Sequence, residues 1–170
     1  RVPEGEVART ADEAREIAAR LEGDSWMVKA QVRAGGRGLG KLPDGKGGIR
    51  RANSLDEVAE HAEKMLGNNL VTAQTGSGGL QVKSVYIEQW NPVEREFGLS
   101  IVVDERNKGI VLLVSEKGGT EIESTAEMPG SVHSLAVDQD NGVAEDRIDQ
   151  VLVKTGLDHQ ATGNLKEAIN

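Results

Sequence analysis

The chain has 170 residues and no cysteine, with 28 acidic against 20 basic residues for a net charge of −8. That length suits one domain or two small lobes, the acidic balance argues against nucleic acid as the main partner, and the lack of thiols excludes disulfides and thiolate metal sites. No apolar run approaches the ~20 residues of a membrane span and no signal-peptide pattern opens the chain, so no membrane partner is expected.

Aromatic residues are few (two Trp, one Tyr and one Phe), so the core must rest on Val, Ile, Leu and Ala, as in strands covered by Ala-rich helices. In chain order, Ala11 to Leu21 spaces Ala14, Ile17, Ala18 and Leu21 as a helix, with Thr10 as N-cap and Glu13 three residues on. Trp26 to Val32 reads as a strand. Ser54 to Leu66 reads as a second helix, capped by Ser54 and stopped by Gly67. Strands are predicted over Leu70–Thr75 and Gln81–Gln89, around the turn Gly76–Gly79. Phe97–Val103 and Gly109–Val114 form a hairpin pattern about a charged turn. Ser131–Val137 reads as a further strand, and Ala144–Lys154 and Thr162–Ile169 as helices. The chain opens on Arg1 rather than Met and stops in mid-pattern, so it reads as part of a longer protein. The order of elements is α+β and not the regular alternation of a dinucleotide-binding sheet.

One stretch departs from the acidic whole. Seven of the 21 glycines fall between Gly35 and Gly48. Lys29, Arg33, Arg37, Lys41, Lys46, Arg50 and Arg51 face the single acid Asp44, a local charge of +6 that leaves −14 for the rest. Glycine lets backbone N–H groups approach phosphate oxygens, and the cations neutralise them, so a polyphosphate is the ligand this pattern suits. A P-loop is nearly spelled by Gly35 to Lys41, but Leu42 stands where a magnesium-binding hydroxyl is needed, and Pro43 precludes a following helix. A protein-kinase loop fails for want of its later triplets. What remains is a strand bearing Lys29, a Gly-rich flap over Gly35–Gly48 expected to be mobile when empty, and a returning strand near Gly48–Ala52.

The run Val28 to Gly38, VKAQVRAGGRG, resembles the signature of succinate–CoA ligase β subunits, whose nucleotide-binding part is an ATP-grasp domain. The similarity continues in register at Leu70–Thr75, Tyr86–Glu88, Glu94–Glu96, Val102–Asp104 and Glu116–Glu123. The resemblance implies an ATP-grasp fold of two α+β lobes, cut short at its C-terminal end. Residues 1–90 would form the nucleotide-clasping lobe and 91–170 an incomplete second lobe. It implies that Lys29 pairs with nucleotide phosphates and that Gly36, Arg37 and Gly38 close over them. Glu88 would sit in an extended linker by the base, with Asn91 beside it where the family often has Thr. Glu96 would accept hydrogen bonds from the ribose hydroxyls. Trp90 packs either near the base or at a lobe contact.

The implied nucleotide is ATP or GTP with Mg2+. The implied partner is an α subunit that carries a phosphohistidine and CoA, in the bacterial cytoplasm or a mitochondrial matrix. The family's magnesium ligands, an Asn in an E-x-N-P-L strand and a later Asp, match nothing here and are expected beyond Asn170, so no metal ligand and no catalytic residue is assigned to these residues. Glu121 and Glu123, with Glu116 near, make a conceivable metal pair, though a structural or interface role is the better reading. His61, His133 and His159 are read as structural or solvent-exposed. Malate–CoA ligase, an ATP–citrate lyase relative and a non-catalytic nucleotide-binding or assembly module are the alternatives left open.

Overall fold

The computed structural model describes residues 2–105, 108–115, 117–119, 132–138 and 140–154. The predicted helix over Thr162–Ile169, together with Glu116, Glu121, Glu123 and His159, lies outside them. The chain divides into two compact units, Arg1–Pro92 and Val93–Asn170. Each is an antiparallel sheet with helical cover on one face, which makes the fold α+β.

In the first unit, β1 (Gly5–Ala8), α1 (Ala11–Arg20), β2 (Trp26–Ala30), β3 (Ile49–Ala52), α2 (Leu55–Met65) and β6 (Val85–Gln89) build a four-stranded sheet under two helices. The strand order is β1-β6-β2-β3, antiparallel throughout. A period of two along β2 buries Trp26, Val28 and Ala30 and leaves Met27 and Lys29 half-exposed on the opposite face. β6 repeats the pattern: Val85 and Ile87 are buried, Tyr86 and Glu88 half-exposed. The apolar set meets Ala14, Ile17 and Ala18 of α1 and Val58, Ala62 and Met65 of α2 in one core. Each fully buried Val, Ile or Met there contributes about 1.5–3 kcal/mol over exposure.

Both helices start by the same device. The Thr10 hydroxyl accepts from the Glu13 N–H at 3.1 Å, while the Glu13 carboxylate accepts from the Arg9 N–H at 2.7 Å. Ser54 and Glu57 repeat this, with the Glu57 carboxylate accepting from the Asn53 N–H. Each cap satisfies donors that the first helical turn leaves open, worth about 1 kcal/mol.

The second unit is a meander, β7 (Gly98–Asp104), β8 (Gly109–Ser115) and β9 (Val132–Val137), with α3 (Glu145–Lys154) against it. Leu112, Val114 and Leu135 of the sheet meet Ile148, Val151 and Leu152 of the helix.

Several sequence expectations shift. β1 has no apolar alternation and is not foreseen. β2 ends at Ala30, two residues early. Only Leu70, with Asn69, is in a strand (β4, Asn69–Leu70) where one was predicted over Leu70–Thr75. Thr72 to Thr75 instead closes a turn, in which the Thr72 N–H donates to the Thr75 hydroxyl at 2.8 Å. The predicted Gln81–Gln89 strand is broken into β5 (Leu80–Gln81) and β6, because β5 pairs with β4 while β6 joins the main sheet. His61, placed on a surface helix, is half-buried. Its Nε2 lies 3.2 Å from the Arg51 carbonyl, which makes its role structural.

Candidate nucleotide site

The strand register explains how the first candidates meet. Lys29 pairs with Tyr86 and Met27 with Glu88, so Lys29 and Glu88 are diagonal neighbours on the face of the sheet away from the helices. Lys29 Nζ and Glu88 Oε1 form an ion pair, with side chains 28% and 15% exposed. Glu88 itself is not in an extended linker. It is a ladder residue of β6, opposite Gly5 on one side and Met27 on the other. Beyond it, the Gln89 N–H donates to the Glu4 carbonyl and the Trp90 N–H to the Ser25 carbonyl, both at 3.0 Å. The first linker amide past those two is that of Asn91, an exposed residue.

The glycine loop follows β2, starting at Gly35, and is anchored at several points, which narrows the expectation of a free flap. Gly35 N–H donates to Gln74 Oε1 at 2.7 Å, and Gly40 N–H to the Gly36 carbonyl at 2.9 Å. Lys41 and Val71 bridge, and Leu42, 4% exposed, is part of the core. Gly36 has φ +69°, a left-handed conformation in which a side chain would be strained. Arg37 reaches back so that Nη1 donates to the Ala30 carbonyl at 2.9 Å, beside Lys29 in sequence. Arg37, with Gly36 and Gly38 on either side of it, is thus tied to the end of β2 at Ala30, and Lys29, one residue earlier, is paired with Glu88.

Not every cation of the loop is available to phosphate. Arg50 is buried against Asp44, and Arg51 stacks on the Trp90 ring with Cζ 3.5 Å from its centroid. Arg33 lines a groove with Lys83, Gln31 and Leu80. Lys41 and Lys46 are exposed. Glu96 belongs to the second unit, where its carboxylate fills the space that a side chain at Gly119 would need. Sequence reading did not foresee Gln74, the Arg51–Trp90 stack or the Asp44–Arg50 pair. The last had a signal, since Asp44 is the only acid in the +6 stretch.

Among the described residues no group of three or more His, Asp or Glu is placed to hold a metal ion. No helix among them is long and apolar enough to cross a membrane.

The antiparallel sheet with a lysine on its open face and a glycine loop over the strand end defines a class, and the chain belongs to the ATP-grasp domain family, whose model matches residues 1–170. Among curated relatives, it is 43% identical over 171 residues to the ADP-forming succinate–CoA ligase subunit beta of Sinorhizobium medicae, covering 98% of this chain and 43% of that protein. It is 47% identical to the subunits of the same name from Acidiphilium cryptum, over 84% of this chain and 37% of that protein, and from Nitratiruptor sp., over 81% and 34%. The chain thus spans less than half the length of the relatives it matches.

Proposed function

We propose that this chain is the nucleotide-holding part of the β subunit of an acid–CoA ligase, an enzyme that forms a carbon–sulfur bond. ADP or GDP would be formed as succinyl-CoA is made, or phosphorylated in reverse. The observation that carries the reading is the Lys29–Glu88 pair on the open sheet face, beside a glycine loop tied to the Ala30 carbonyl by Arg37.

On this proposal residues 1–90 and 91–170 act as two lobes of the clasp. Lys29 exchanges its carboxylate partner for the nucleotide phosphates, and Arg37 adds a second positive charge. Gly36 and Gly38 let the loop backbone lie close to the phosphate oxygens. The Asn91 N–H and the carbonyls near Glu88 read the base, and Glu96 accepts from two adjacent ribose hydroxyls. Catalysis is then positioning and charge neutralisation, not covalent chemistry by these residues. The γ-phosphoryl group passes to a histidine of an α subunit and from there to the carboxylate of the acid. The CoA thiol displaces phosphate from the acyl phosphate. Magnesium bound with the nucleotide neutralises phosphate charge, and its ligands are proposed to lie outside these 170 residues. The names and identities of the relatives support succinate as the acid.

The test is Lys29→Ala in the full-length protein. Phosphoryl transfer should fall by about 100-fold or more while the variant folds, since the lost group is a charge contact at the phosphates. Wild-type turnover in that variant contradicts the assignment.

A further inference from the structure

We propose that Arg50 and Asp44 are positioning residues for the nucleotide loop, forming a clamp that sets where Gly36–Arg37–Gly38 lies over the end of β2. The inference rests on the nucleotide-holding role above and adds two residues to it.

Arg50 stands opposite Val28 in the β2–β3 ladder, and so on the helix-covered face, where an apolar side chain is the ordinary occupant. It is 7% exposed. Because β3 is an edge strand, the guanidinium can run out past the sheet to the loop. There Nη2 donates to Asp44 Oδ1 at 2.9 Å, Nη1 lies 2.8 Å from Oδ2, and Nε donates to the Gly47 carbonyl at 2.9 Å. A planar fork with three such contacts fixes an orientation that the point charge of a lysine cannot. Asp44 Oδ1 also accepts from the Lys46 N–H at 3.1 Å. The Arg50 hydrogen bond holds the Asp44 carboxyl below its ordinary range against the opposing effect of burial, and the Lys46 amide adds to the lowering.

The turn held in this way touches the triplet directly. Gly48 N–H donates to the Arg37 carbonyl at 2.9 Å, and the Gly48 carbonyl accepts from Ala30 N–H at 2.7 Å. Gly47 lies so close to Gly38 that any side chain there would collide with the Gly38 carbonyl oxygen. Arg37, donating to Ala30, closes the circuit. The hydrogen bonds and ion pair given for Arg50 among the described residues go to Asp44 and Gly47, so its proposed role is to set geometry and not to supply charge to phosphate. Removing Asp44 leaves a buried cation without its carboxylate and takes away the floor beneath Arg37 and Gly38.

The experiment is calorimetric titration of the full-length protein with ATP, for wild type, Lys29→Ala, Asp44→Asn, Asp44→Glu and Gly47→Ala, with amide hydrogen exchange on each. Asp44→Asn and Gly47→Ala should each weaken ATP binding by on the order of ten- to a hundredfold, the scale of a misplaced binding group. The Gly40 and Gly48 amides should exchange faster while those of α2 keep their protection. Asp44→Glu, which retains the charge, should recover part of the affinity. Gly47→Ala keeps the Arg50–Asp44 pair but displaces the turn that Arg50 holds against Gly38, and so tests the placement of the turn if Asp44→Asn does not fold. Wild-type affinity in Gly47→Ala and Asp44→Asn, with binding still abolished by Lys29→Ala, overturns the clamp and leaves the proposed function standing. Weaker binding that comes only with faster exchange throughout α2 also overturns it, as the effect of a general loss of stability. Wild-type protein that binds neither ATP nor, in a parallel titration, GTP overturns both.

Discussion

The two units solve the same packing problem with different outcomes outside their cores. In the first, two helices cover one sheet face, and the other face carries charge in register: Lys29 on β2 against Glu88 on β6. In the second, α3 packs on β8 and β9. Along β7, Leu99, Ile101 and Val103 share the face of Val114, Leu112 and Ile110, yet Ile101 and Val103 remain 72% and 75% exposed among the described residues. The comparison teaches that an antiparallel sheet with one covered face does not make a site. In the first unit the ladder register sets opposite charges diagonally on one sheet face, and Arg37 ties the following glycine loop back to the Ala30 carbonyl.

The contrast can be sharpened by substitution. The largest effect on stability is expected at Leu70, fully buried in β4 with its methyl groups beneath Gly40 and Gly48. Leu70→Ala should cost about 2–5 kcal/mol in chemical denaturation, the range for a large-to-small change in a core. It should also weaken ATP binding, because the loop loses its support. A cost below about 1 kcal/mol would show that this part of the core is loosely packed.

An intermediate effect is expected from pH. Burial pushes the His61 imidazole below its ordinary 6.5, partly offset by the hydrogen bond with the Arg51 carbonyl, and Nδ1 has no hydrogen-bond partner among the described residues. The unfolded chain therefore binds the proton more readily than the folded one. Stability from this group is complete above 6.5 and falls as pH drops through 6.5 towards the lower folded value. Denaturation of wild type and His61→Gln across that interval should show a steeper loss in wild type. Parallel curves would remove His61 as the cause.

The smallest effect is expected on β7. Ile101→Ser should change stability by less than about 0.5 kcal/mol, as for other exposed positions. A loss of 2 kcal/mol or more would mean that this apolar row is covered in solution, and the contrast between the units would narrow.

Much of this was legible in the residues because local signals agreed. Thr10 with Glu13, and Ser54 with Glu57, mark helix starts by the donors they satisfy, and the alternation of Trp26, Val28 and Ala30 assigns β2 its buried face. The glycine loop was visible as a charge and composition anomaly. What escaped was set by partners distant in sequence. β1 is a strand because β6 pairs with it, and Leu70–Thr75 bends because Thr75 caps Thr72. Glu88 looked like a linker residue until the β6 ladder placed it beside Lys29. Arg50 counted as a phosphate cation until its position opposite Val28 turned it inward to Asp44.

The account turns on Lys29 and its neighbours forming a nucleotide clasp. Calorimetric titration of the protein with ATP and with GTP, each with and without magnesium, beside Lys29→Ala tests this most directly. Saturable binding of one nucleotide that Lys29→Ala abolishes is the predicted result. Equal affinity in wild type and Lys29→Ala would contradict it, because the phosphates would then be held without the Lys29 charge.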